Sequence, residues 1–189
     1  MKTAIILHGM PEKDTEHYSP NRPASSNCHW LPWIQRQLIL KDILAQTPEM
    51  PVPYNPEYSA WKAMFERFPL NEETTLIGHS CGAGFIVRYL SENNIHVGKV
   101  VLVAPWIDPD KILGTGMFDF EIDVDIVSKT KGITIFSSTN DMEEVRGSVK
   151  ILTEKIKGVK IVEFQNKGHF CFDDMRTEEF PELLNEVLI

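Results

Sequence analysis

Ser80 lies in Gly78-His79-Ser80-Cys81-Gly82, a G-x-S-x-G pentapeptide between the apolar run Thr74 to Ile77 and a helix-like segment from Ala83. A strand that turns sharply into a helix lifts a serine hydroxyl clear of a sheet, which makes Ser80 a candidate nucleophile for acyl transfer. Gly78 and Gly82 remove side chains where strand and helix come closest, and the helix N-terminus aims N–H groups at developing negative charge. A serine hydroxyl attacks poorly at neutral pH unless a base takes its proton, and the base needs a third group to fix its tautomer. Of the six histidines, His169 fits best. It follows Gly168 in a polar stretch just after the last expected strand, where functional residues of parallel sheets gather. Asp141 ends Ser137-Ser138-Thr139-Asn140-Asp141, directly after the apolar run Ile133 to Phe136, and is the candidate acid. An oxyanion formed in such chemistry needs two backbone donors. Cys81 N–H is one, and the turn His8-Gly9-Met10 after the first strand offers Met10 or Gly9 as the other, with Met10 favoured.

Those residues need a scaffold that brings strand ends together. Short apolar or β-branched runs occur at Thr3 to Leu7, Ile43 to Ala45, Thr74 to Ile77, Val100 to Ala104, Ile133 to Ser137 and Val159 to Phe164. Helical spacing marks Trp30 to Leu40, Glu57 to Phe68, Ala83 to Glu92, Glu143 to Ile156 and Glu178 to Leu188 between and after them. The alternation predicts an α/β protein: a three-layer α/β/α sandwich around a mostly parallel sheet of about six strands. Met10 to Asn27, polar and holding Pro11, Pro20 and Pro23, reads as a long ordered loop beside the elbow. Met117 to Val127 alternates apolar with acidic residues; as a strand it would carry one acidic face, more naturally a solvated surface than a calcium site, and its structure is left open.

Each candidate also has a plain structural reading. Ser80 can be a turn serine, His169 a loop residue and Asp141 a helix N-cap. Asp173 and Asp174 are near His169, but they follow it and must reach back along their own loop. Cys81 and Cys171 raise the idea of a thiol nucleophile or a metal, yet no C-x-x-C or H-x-x-x-H spacing supports one, and both read as small buried residues. Trp30 and Trp33, one helical turn apart, read as packing residues rather than a pocket lining.

The chain has 189 residues, 42% hydrophobic and 24% charged, which suits a single domain over 1–189. Its net charge of −8 argues against nucleic acid or an anionic membrane as partner and favours a small neutral or cationic substrate. No apolar run approaches the ~18 residues of a membrane span. Ala4 to Leu7 is too short for a signal-peptide core, so a cytoplasmic location is expected. Three widely spaced cysteines suit reduced thiols.

The chain order Ser80, Asp141, His169 is that of α/β-hydrolases. More broadly, the chain resembles the retinoblastoma-binding serine hydrolases and their compact bacterial relatives. The resemblance runs nearly end to end through His8-Gly9, Asn27-Cys28-His29-Trp30-Leu31-Pro32-Trp33, Gly78 to Ala83, Ser137 to Asp141 and Gly168-His169-Phe170. It implies the same nucleophile, acid and base. The stretch from Gly9 to His29 is longer than in the compact relatives, Met142-Glu143-Glu144-Val145 lacks the proline of that turn, and the L-x-C-x-E pocket-protein motif is absent. The resulting expectation is a serine hydrolase of a small acyl ester, thioester or amide, with no large cap, cofactor or metal. The alternatives are a binding or regulatory protein on the same fold and an aminopeptidase-like amidase. Haloalkane dehalogenation is disfavoured because it uses a carboxylate where Ser80 stands.

Overall fold

Val100, Val101, Leu102 and Val103 are all buried, and a run of this kind lies in a sheet covered on both faces. The computed structural model, which describes residues 1–189, places them as β4 in a sheet with β1 (Thr3–Leu7), β2 (Leu44–Gln46), β3 (Thr74–His79), β5 (Ile133–Ser138) and β6 (Lys160–Phe164). The order is β2-β1-β3-β4-β5-β6, and every neighbouring pair is parallel. Helices α1 (Leu31–Ile39), α2 (Tyr58–Phe65), α3 (Cys81–Glu92), α4 (Glu143–Lys155), the short α5 (Phe172–Met175) and α6 (Pro181–Leu188) complete an α/β/α sandwich. The β1-α1-β2 and β3-α3-β4 units run in opposite directions across the sheet. Right-handed crossovers therefore put α1 and α3 on opposite faces. α1 touches α6, while α2 packs on α3 through Trp61 and Phe65 against the Phe85 ring. Forty-one buried apolar residues form one core cluster.

Strand order reverses between β1 and β3, so their C-terminal ends diverge into a crevice. His8-Gly9 leaves β1 there and Ser80 leaves β3, with Leu7 opposite Gly78 in the ladder. Register carries the same edge onward: His79 pairs with Val103, Val103 with Phe136, and Ser138 with Phe164. The loops holding Asp141 and His169 thus leave the same end of the sheet as Ser80.

The long loop after β1 is ordered by its own carboxylates. Glu12 accepts the N–H groups of Asp14 and Thr15 and opens a π-helical turn at Lys13–His17, and a 3₁₀ turn follows at Ser25–Asn27. The alternating segment 117–127 joins no sheet. Phe118, Phe120 and Ile122 nevertheless pack on the core while Asp119 and Glu121 stay exposed, so alternation reports burial without a ladder. Asp123 pairs with Lys129 at 2.8 Å and Asp125 faces Lys157 at 3.8 Å. No helix is long and apolar enough to cross a membrane.

Candidate active site

Ser80 carries φ 52° and ψ −118°, a backbone state that a non-glycine residue keeps only when its surroundings hold it. Three main-chain bonds hold it. Ser80 N–H donates to Val103 O at 2.9 Å, and Ser80 O accepts from Gly84 N–H at 3.1 Å and Trp106 N–H at 3.2 Å. The glycines flanking it have no room for a side chain: a Cβ on Gly78 would lie 2.5 Å from Ala83 Cα, and one on Gly82 2.5 Å from His8 O. α3 begins at Cys81, so the Cys81 N–H has no partner within the helix. The Cys81 thiol is buried, and burial together with the nearby Asp108 carboxylate raises its pKa, which leaves it unreactive.

His169 Nδ1 lies 2.9 Å from Asp141 Oδ1 and 3.2 Å from Oδ2. The Asp141 side chain is only 1% exposed, and its Oδ1 also accepts the Met142 N–H at 2.7 Å. That pairing holds the Nδ1–H tautomer and leaves Nε2 as the basic nitrogen. The two loops are laced together by side chains from the Ser137 to Asp141 stretch: Lys167 N–H donates to Ser138 Oγ and Gly168 N–H to Asn140 Oδ1, both at 2.9 Å. Asp174 Oδ2 accepts the His169 main-chain N–H at 2.9 Å. Asp174 is therefore a partner of the loop's backbone, and the imidazole belongs to Asp141. Ser80 and His169 face one cavity of about 190 Å³, lined also by Gly9, Met10, Glu16, His17, Arg22 and His29. The loop after β1 thus forms one wall beside the elbow. Ser80 Oγ and His169 Nε2 are not hydrogen-bonded here; such contacts commonly tighten only in a substrate complex.

On the opposite side, Gly9 comes so close that a Cβ on it would sit 3.0 Å from Ser80 Cβ. Buried His8 fixes the turn. Its Nε2 must accept the Met50 N–H (2.9 Å), so its proton is on Nδ1, which donates to Gly9 O at 2.7 Å. Burial lowers the His8 pKa and keeps that neutral form. The Gly9–Met10 peptide is trans, so anchoring its carbonyl also sets the opposite direction of the Met10 N–H.

Three residues of this arrangement, His8, His79 and Asn140, have no side-chain role in the sequence reading, and Asp174 enters it only as a rival for the acid. All sit inside or next to motifs already singled out. His8, His79 and Asn140 reach main-chain atoms of distant loops, at Met50, His169 and Gly168, which spacing along the chain does not reveal. No group of three His, Cys, Asp or Glu residues is arranged to hold a metal ion.

A family model described as "Serine hydrolase" matches residues 20–185. YdeN of Bacillus subtilis is 27% identical over 161 residues, covering 80% of this chain and 83% of that one. The crystal structure of the ydeN gene product superposes with a TM-score of 0.82 at 23% identity, over 100% of this chain and 97% of the other. The esterase EaEST of Exiguobacterium antarcticum has a TM-score of 0.65 at 15% identity, with 100% and 92% covered. These two superpositions agree with the α/β-hydrolase fold.

Proposed function

The chain belongs to the serine hydrolase family, and on that premise we propose that it cleaves a small acyl ester, thioester or amide through an acyl-enzyme on Ser80. The observation that carries this reading is the His169 ring, anchored on buried Asp141 and facing the same cavity as the strained Ser80. Ser80 Oγ attacks the substrate carbonyl carbon while His169 Nε2 takes its proton. The C=O electrons move onto the oxygen, which the Cys81 and Met10 N–H groups receive. Gly9 supplies the room that lets the turn approach. As the tetrahedral intermediate collapses, His169 returns the proton to the leaving group, and Asp141 stabilises the imidazolium between these steps. Water, deprotonated by His169, then attacks the acyl-enzyme and releases the acid and free Ser80.

The cavity of about 190 Å³ is smaller than the roughly 300–1,000 Å³ of sites for drug-sized ligands. Glu16, His17, Arg22 and His29 place polar groups in a wall that Met10, Pro11, Pro23 and Ala24 also line. The small volume favours a short acyl group. The test is a series of p-nitrophenyl esters from acetate to octanoate with wild type and Ser80→Ala. The reading expects kcat/KM to fall steadily with chain length and to vanish in the variant. A preference for octanoate would contradict the size assignment, and full turnover by Ser80→Ala would contradict the mechanism.

A further inference from the structure

His79, the residue before the nucleophile, ends β3 and is 3% exposed. Its Nε2 lies 2.8 Å from the His169 carbonyl oxygen. A carbonyl can only accept, so Nε2 carries the proton and donates. The ring stacks obliquely on the His169 ring with centroids 4.9 Å apart and meets Trp30 edge-on at 5.7 Å. Its Nδ1 would be 3.4 Å from a Cβ on Gly9. One buried imidazole therefore touches the turn after β1, the elbow and the loop of the base.

The loop of the base needs such a tie. His169 stands between Gly168 (φ 52°) and Phe170 (φ 57°), both left-handed, so its own backbone preferences do not fix where the ring points. Asp174 holds its N–H and Asp141 its ring. Neither residue belongs to β3. The one hydrogen bond joining His169 to the strand that carries Ser80 comes from His79, covalently next to the nucleophile. We infer that His79 is a positioning residue: its Nε2–H bond to the His169 carbonyl sets the base at working distance from Ser80. Burial holds His79 well below the ordinary imidazole pKa, with the neighbouring His169 and His29 adding to the effect. The ring thus stays neutral and places no second positive charge against the imidazolium.

The inference rests on the Ser80–His169 reading above. The test compares His79→Gln, whose amide still offers an N–H donor, with His79→Met, of similar length without one. Packing loss is similar in both, so their difference reports the hydrogen bond. A displacement of about 1 Å at a reacting centre costs on the order of 10²-fold. The expected result is a 10- to 100-fold lower kcat for p-nitrophenyl acetate in His79→Met, estimated on that scale, with KM within about threefold. The rate of fluorophosphonate labelling falls in parallel, and His79→Gln recovers most of both. Thermal unfolding of the two variants should differ by no more than the few degrees that one hydrogen bond is worth. Equal activities in Gln and Met variants, or a loss confined to KM, would overturn the positioning role. Should both variants fail to fold, His79→Asn and His79→Leu make the same donor comparison in smaller side chains, under the same criterion. Wild type that neither turns over the ester nor takes the label would instead defeat the serine hydrolase mechanism itself.

Discussion

Replacing Asp141 by Asn and, separately, Asp174 by Asn distinguishes two carboxylates only 33 positions apart that hold the same histidine in different ways. Asp141 faces His169 Nδ1 through both oxygens, at 2.9 and 3.2 Å, and its Oδ1 also takes the Met142 N–H at 2.7 Å. In Asp141→Asn the amide oxygen that stays with Met142 at the Oδ1 place still faces Nδ1, while the NH₂ group replaces Oδ2 and sets a donor against the same nitrogen. That weakens the hold on the Nδ1–H tautomer, the one that leaves Nε2 free to take the Ser80 proton. The imidazolium also loses its counter-charge. For unit charges about 3 Å apart at an effective dielectric constant of about 20, that charge is worth about 5–6 kcal/mol, or about 10⁴-fold in rate. Asp174 meets only the His169 main-chain N–H. An amide oxygen can still accept that bond, so the change falls within the ~0.5–1.5 kcal/mol of one hydrogen bond, tenfold at most on that scale. The assay is the second-order rate of fluorophosphonate labelling together with kcat/KM for a short ester. A loss at Asp141→Asn at least 100-fold greater than at Asp174→Asn is expected from these two magnitudes. Equal losses, or the reverse ranking, would refute the assignment of the acid.

Two further predictions concern charge and thiols. Burial raises the Glu186 pKa, but bonds from Lys160, Lys99 and Thr134 outweigh it and bring the carboxyl down to about 2. A depressed carboxylate stabilises the fold above its unfolded pKa, and that share disappears as pH falls through the folded value. The Tm gap between wild type and Glu186→Gln should therefore be full at pH 6 and shrink from about pH 4.5 toward pH 2; a constant gap would contradict the network. Burial, with Asp174 nearby, pushes the Cys171 thiol up to about 12, and burial also raises Cys28. Iodoacetamide at pH 7.5 should alkylate both more slowly than free cysteine and leave fluorophosphonate labelling intact. Rapid alkylation with loss of labelling would point to thiol chemistry instead.

How much of this was legible in the sequence differs from element to element. The β4 run and the strand-turn-helix around Ser80 were readable because continuous burial and the elbow both impose local composition. Boundaries moved where tertiary contacts decide them. α3 starts at Cys81, two residues before the expected Ala83, because Gly82 already packs against the end of β1. α6 waits until Pro181, which suits the first turn of a helix. β2 shifted by one residue to Leu44–Gln46, its register set by pairing with Thr3–Ile5. The alternation carried a true burial signal over 118–122, though Val124 is exposed, and no strand, since period-two burial does not supply a neighbouring strand to bond. Ser80, Asp141 and His169 could be singled out as candidates from residue type and chain order, and the fold brings their loops to one end of the sheet. The contacts of His8 with Met50 and of His79 with His169 could not be read this way, because each involves main-chain atoms that only the folded chain brings near.

The central claim is an activated Ser80 served by His169, and intact mass after fluorophosphonate treatment tests it most directly. Wild type should gain one adduct, Ser80→Ala none, and His169→Ala the same adduct far more slowly. Wild type that stays unlabelled, or an adduct that persists in Ser80→Ala, would contradict the account.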